Sequence, residues 1–351
     1  MKILFHMPSL STLSTGRTVY NGYKNAFEDL KHEFKVLTSD DNQKEVFEKF
    51  NPQIFITSLA PLNLKYLNLS FIKAQKKNGM KVFVNTPFWN SPLSKNRINE
   101  TPSLSKNKEL IKLIKSGSIG DVFYNVCEQG DPRMRGFEET IGYKLHTILL
   151  AADKTLVNTK YNKKFLSDIT FIGAYLPGRR EFMKKYILPL KKIYNFKLYC
   201  QDLYFIDRVL NLMMKVGQFF NIPYIRSFKK NDVTFEEEQQ IIRSAKICLN
   251  IHEDYQKEFG RDFNDRTFKI PLFGGFEITD NVASIKKYLI DGKEIIIANN
   301  GEDMLEKIDY FLKNPEKKVP IIEAGRKKVL AEHTYHHRVK QIIDIYDKLK
   351  R

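Results

Sequence analysis

Short apolar runs and segments of helical period alternate along this chain, and that alternation restricts it to a parallel sheet with crossover helices. In the first half, strands are expected at Lys2–Met7, Phe34–Thr38, Gln53–Ser58, Lys81–Asn85, Val122–Val126 and Lys154–Val157. Between them, Tyr20, Tyr23, Ala26, Phe27 and Leu30 share one face of Thr18–Lys31, and helices are expected over Gln43–Phe50, Leu64–Asn78, Lys106–Ser116 and Phe137–Ala151. A second series opens at Asp168. Its strands are expected over Thr170–Ile172, Lys197–Cys200, Ile247–Ile251 and Glu294–Ile297, and its helices over Phe205–Phe219, Phe235–Ser244, Met304–Lys313 and from Glu323. Two such series predict an α/β chain of two Rossmann-like domains facing a cleft, with the boundary near residue 165.

The totals agree with that reading. A chain of 351 residues is long for one core and comfortable for two domains. No apolar run reaches bilayer length, and the start, Met1 to Pro8, reads as a first strand rather than a signal peptide. Cys127, Cys200 and Cys248 lack zinc or CxxC spacing, so reduced thiols and a cytoplasmic location are expected. The formal charge of +17 favours anionic partners, among them lipid headgroups, nucleic acid and phosphorylated substrates. Against a functional role, the lysines are scattered, and Lys, Asn, Ile, Tyr and Phe are abundant together, which also fits a coding bias toward A/T-rich codons; a peripheral position at an anionic membrane is the expectation if the charge is used.

Ligands of doubly wound sheets bind beyond the C-terminal strand ends, which directs attention to the loops there. The stretch from Asp265 to Asp280 is the richest: a polar cap, a short apolar helix beginning at Arg266-Thr267, the pair Gly274-Gly275, then Phe276 and a second short strand. A helix N-terminus offers N–H groups and a positive dipole end, and an arginine adds a fork matched to phosphate. Glycines let the backbone approach a ligand closely. The stretch therefore reads as a diphosphate cradle, with Gly173 to Arg180 as a second loop of similar character. Neither GxGxxG nor a Walker loop occurs. Glu128 and Asp131, after a strand end, can serve as general bases, although Asp131 also suits a turn cap before Pro132. His252 directly follows a strand and is a candidate ligand contact, whereas His146, on an apolar helix face, is expected in the core. His333, His336 and His337 cluster without a cysteine or carboxylate to complete a metal site, so no metal is expected.

Three segments in order resemble the GT-B glycosyltransferases, specifically the CgeB-like (spore protein) branch of the group-1 transferases. They are Asp168-Ile169-Thr170-Phe171-Ile172-Gly173 with Arg179/Arg180, then Arg266 to Phe276, then Ala324-Gly325-Arg326 with Glu332 to Arg338. The resemblance covers the C-terminal half. It implies a GT-B fold with an acceptor domain over 1–165, a donor domain over 166–335 and a helix over 336–351 crossing back to the first domain. It also implies hexosyl transfer from a UDP- or GDP-linked sugar without an obligatory metal or other cofactor. The donor would be held by Gly173, Arg179, Asp202, Arg226, Arg266, Thr267, Gly274, Gly275 and Phe276, with Asp131 and His252 as catalytic candidates. Acceptors implied are a glycan, a lipid-linked sugar or a protein, with DNA as a less favoured alternative. One departure stands out: the family glutamate is Lys269 here, and its partner position holds Arg261. Either Glu277 or Glu253 replaces that pair in holding the donor, or the choice of donor differs. Otherwise the chain would be a non-catalytic binding protein of the same fold, and a sugar epimerase is a third reading.

Overall fold

The computed structural model describes residues 1–10, 15–90, 103–155, 157, 160–201, 203–226 and 233–350. The chain divides into two compact units. Unit 1 holds Met1–Leu149, Lys215–Ser227 and Arg338–Arg351, and unit 2 holds Leu150–Met214 and Phe228–His337.

Unit 1 contains a six-stranded sheet: β1 (Lys2–His6), β2 (Glu33–Leu37), β3 (Ile54–Ser58), β4 (Lys81–Asn85), β5 (Val122–Asn125) and β6 (Leu145–Thr147). The order is β2-β1-β3-β4-β5-β6 and each pairing is parallel. Parallel strands are covered on both faces, so the central ones read as unbroken apolar runs. Ile54, Phe55, Ile56 and Thr57 of β3 are accordingly all buried. The intervening helices start where the chain supplies a cap: Asn42 accepts from the Glu45 N–H at 3.3 Å to open Gln43–Phe50, and Asn51 closes it at φ 49°.

Unit 2 contains five strands: β7 (Ser167–Ala174), β8 (Phe196–Gln201), β9 (Ala245–Asn250), β10 (Glu277–Asp280) and β11 (Ile296–Ala298). Their order is β11-β10-β9-β7-β8, again all parallel. One face packs Ile169, Phe171, Leu249 and Ile278 with Phe276 and Phe311, and the other packs Cys248 and Ile297 with Phe268, Ile270 and Phe273. A capping box between Thr234 and Glu237 sets the start of the helix Phe235–Ser244. The helix Phe205–Phe220 has its first ten residues grouped with unit 2 and its last six with unit 1.

Three expected elements differ. The helix expected over Leu64–Asn78 is split in two, Pro61–Lys65 and Leu69–Lys77, the second opened by Asn68 accepting from the Phe71 N–H. The helix expected over Phe137–Ala151 ends at Ile141, because Gly142 turns at φ 80°, and the following run Leu145–Thr147 pairs with β5 as an edge strand. His146 therefore sits half-buried on a strand rather than on a core helix face. Of the strand expected over Lys154–Val157, the described residues are not in a strand: Thr155 lies in a turn, where Asp153 accepts from its N–H at 2.9 Å, and residue 156 lies outside the described residues. Ala152, just before it, instead bridges Thr334.

Candidate active site

In unit 2 the chain leaves β7 on one side for β8 and returns on the other for β9, so the switch point of the sheet lies between β7 and β9. Arg266 spans it. Its Nη1 donates to the Ile172 carbonyl at 3.0 Å, its Nη2 to the Ile251 carbonyl at 3.2 Å and its Nε to Asn250 Oδ1 at 3.0 Å. These bonds use three of the five N–H groups of the guanidinium. Asn264 fixes Asn250 from the other side, at 2.8 Å. Gly173 serves this arginine: a Cβ there would lie 2.5 Å from Arg266 Nη1.

Beside Arg266 lies a second, more deeply buried guanidinium. Arg179 is 4% exposed, and its Nε and Nη1 have no hydrogen-bond partner. Burial, then the neighbouring Arg266, pull its pKa down to about 10 against the opposing pull of Glu253, Asp280 and Tyr255. Arg180 is used differently, donating through Nε to the Tyr175 carbonyl at 3.1 Å.

His252 and Asp280 complete the cluster. The register of β9 against β10 brings them together: the His252 N–H donates to both Asp280 oxygens at 3.0 Å, and the ring Nδ1 lies 2.6 Å from Oδ1. Burial holds the His252 pKa below its ordinary value although Asp280 opposes this, so the neutral ring donates from Nδ1 and keeps a lone pair on Nε2. That Nε2 is buried without a partner. Burial also works against the Asp280 charge, but His252 and Lys257 outweigh it and hold the carboxyl below its ordinary range.

Several sequence expectations change here. The helix Arg266–Leu272 has no open N-terminus: the Arg266 N–H goes to Asn264 Oδ1, the Thr267 N–H to the Asn264 carbonyl and the Phe268 N–H to the Asp265 carbonyl. Thr267 is fully buried, its hydroxyl accepting from Asn250. Gly274, Gly275 and Phe276 lead into β10 at the opposite strand end from Asp280, so they do not join Arg266, Arg179 and His252. Gly274 turns the chain at φ 76°, a Cβ on Gly275 would lie 2.5 Å from Ile242, and Phe276 packs in the core. The pair is glycine for packing. Asp131, in unit 1, caps the turn Pro132–Met134 and accepts from Arg133 Nε and Nη2 through its two carboxylate oxygens, at 2.9 and 2.6 Å. Asp202 and the side chain of Arg226 lie outside the described residues.

Lys269 is an internal counter-charge. Its Nζ lies 2.7 Å from Glu238 and 3.1 Å from Asp265. Burial opposes the ammonium, yet the two carboxylates outweigh it and raise its pKa. Of the two glutamates considered as substitutes for the family residue, Glu277 lies beneath Asn250, with burial raising its pKa to about 8, whereas Glu253 stands at the ligand end of β9 next to Gly178. The histidine cluster is structural: His333 stacks on Phe268 at 4.4 Å, and His337 Nδ1 bonds the Thr334 hydroxyl at 2.8 Å. Among the described residues no group of three or more His, Cys, Asp or Glu is placed to hold a metal ion. Asp280 is the candidate site residue that sequence reasoning passed over; its position at the end of an expected strand was the available signal.

A family model described as glycosyl transferase-like matches residues 185–344, a span that contains His252, Arg266 and Asp280. An alpha-glucosyltransferase solved with UDP superposes at TM-score 0.64 with 12% identity, covering 99% of this chain and 100% of that one. The fold is that of the GT-B glycosyltransferases. A glycosyltransferase from Rickettsia africae matches at TM-score 0.57 and 13% identity, over 100% of this chain and 98% of that one. An Anabaena protein solved with UDP and glucose matches at 0.59 and 10%, over 99% and 100%. No curated protein matches the chain.

Proposed function

We propose that this chain is a glycosyltransferase that moves a sugar from a UDP- or GDP-linked donor to an acceptor hydroxyl, with unit 2 as the donor-binding unit. The observation that carries the reading is the buried Arg179 guanidinium, with two nitrogens unpartnered, next to Arg266 at the switch point. Two adjacent cations at the strand ends suit a diphosphate. As the sugar–phosphate bond breaks, negative charge grows on the leaving diphosphate, and rigidly held guanidiniums stabilise it without reorganising. Arg266 is held by three protein bonds, so it arrives pre-oriented. The neutral His252 Nε2, aimed by Asp280, accepts a hydrogen bond from a donor-sugar hydroxyl, and Glu253 takes the place of the family glutamate. With two guanidiniums meeting the diphosphate, the reading requires no metal. The ordered segments around Gly173, Arg266 and Gly325 support placing the chain in the CgeB-like branch. Lys269 does not favour a non-catalytic protein, because its charge is balanced within unit 2.

The test is calorimetry of the protein with a panel of UDP- and GDP-sugars in EDTA, followed by turnover with the donor that binds. Micromolar binding that Arg179→Met removes is expected. Failure of every nucleotide and nucleotide sugar to bind would overturn the proposal.

A further inference from the structure

The helix Phe205–Phe220 is laid on the protein the wrong way round for a soluble surface helix. At about 100° per residue, Phe205, Leu212, Met213, Val216, Phe219 and Phe220 fall on one face. That face points outward: Phe205 is 74% exposed, Leu212 62% and Phe220 63%. The opposite face is buried although it carries Asp207, at 4% exposure, alongside Met214, at 3%. The helix is not loosely attached at its C-terminal end. Within unit 1, Tyr66 donates to the Gln218 carbonyl at 2.7 Å, the Lys65 ammonium sits 3.7 Å over the Phe219 ring, and Ser39 donates to Asn221 at 3.1 Å. Its outward apolar face is therefore a built feature of the surface.

We propose that this face seats in the interface of an anionic lipid membrane. Three observations select that occupant. Arg208 and Lys215, both exposed, lie along one margin of the apolar stripe, where their ammonium and guanidinium groups reach headgroups while the stripe enters the acyl boundary. No acidic residue lies on the outward face, and the chain as a whole carries +17. A second copy of so basic a chain would bring like charge against like, and an intact nucleic-acid duplex keeps its bases stacked inside and presents phosphates and sugars, with no continuous apolar surface for Phe205, Leu212 and Phe220 to enter. At sixteen residues with two basic groups on its margin, the helix lies on the membrane rather than across it. Among the described residues, no helix is long and apolar enough to cross a membrane.

The experiment is sedimentation of the full chain with phosphatidylglycerol-containing vesicles and with pure phosphatidylcholine vesicles, without any sugar donor, so that it holds or fails independently of glycosyl transfer. Wild type is expected to partition onto the anionic vesicles at least tenfold better. Leu212→Glu with Val216→Glu should abolish this with unchanged melting temperature, since both side chains are exposed. Arg208→Gln and Lys215→Gln should weaken it about fivefold each. A polarity-sensitive dye on Leu212→Cys should shift to the blue on the vesicles and supplies a readout independent of affinity. Three outcomes would overturn the proposal: equal binding by the double glutamate variant, no shift of the dye, or a wild-type dimer that the glutamates convert to monomer. Retention on duplex DNA that the same variants abolish would assign the face to nucleic acid instead.

Discussion

The two sheets begin with the same winding, β2-β1-β3 in unit 1 and β8-β7-β9 in unit 2, yet their switch points carry opposite chemistry. In unit 1 the crevice between β1 and β3 holds a neutral pair, His6 Nδ1 with the Thr57 hydroxyl at 3.0 Å. His6 is 3% exposed, and burial pushes its pKa down to about 4. In unit 2 the same location holds two guanidiniums, a carboxylate and a histidine. Winding creates the place where a ligand can reach strand ends. The residues that fill it decide what charge a ligand there can have, and among the described residues the cationic crevice is that of unit 2.

The strongest way to break this contrast is to remove a charge that unit 2 uses internally. Lys269→Met leaves Asp265 and Glu238 buried without their cation, and unfolding in urea should show a loss of about 3–5 kcal/mol. Arg179→Met should act the other way on stability. It deletes a buried charge with unpartnered nitrogens, so the melting temperature should hold or rise while transfer falls about 10²–10³-fold. His6→Ala in unit 1 should leave donor affinity unchanged, and a matching loss there would erase the distinction between the two crevices.

Acid separates the units as well. The depressed His6 pKa contributes stability that is complete above the ordinary value of 6.5 and is lost as pH falls through about 4, worth about 3 kcal/mol. Glu277 works in reverse: with a pKa raised from 4.5 to about 8, its contribution is complete below 4.5 and is lost as pH rises through 8. Hydrogen exchange followed strand by strand should show β1 and β3 weakening toward pH 4, with Glu277→Gln protecting β9 and β10 increasingly as pH rises from 4.5 to about 8. A smaller effect than at Lys269 is expected at Gly173→Ala. The new methyl must push on Arg266 Nη1 from 2.5 Å, costing about 1–3 kcal/mol by denaturation and weakening donor binding in calorimetry.

The alternation of apolar runs placed most strands correctly because parallel strands buried on both faces leave a strong signal. It failed at Leu145–Leu150, where so short an apolar run fits helix or strand equally, although Gly142 was there as a stop signal. Arg266 and His252 were legible as residue types at strand ends. Their partners were not, since Asp280 reaches His252 only through the register that sets Thr279 against Asn250. The glycine pair misled for a related reason. A glycine required by a ligand and one required by a neighbouring side chain look alike in sequence, and here the neighbour, Ile242, comes from a helix some thirty residues upstream.

Gly325 shows how firmly this arrangement is set. A Cβ on it would fall 2.3 Å from the Glu294 carbonyl and 3.4 Å from Pro271, so the helix Lys318–Glu332 presses directly on the back of the helix that carries Arg266. The helix is wedged from behind at Pro271, while the arginine at its start is tied from in front. Donor recognition should therefore have little induced fit and a small entropic cost of ordering. The tail glycine then acts as a spacer behind that helix: under the proposed function, Gly325→Ala should displace the helix and weaken donor binding in calorimetry, although no proposed donor contact is itself mutated.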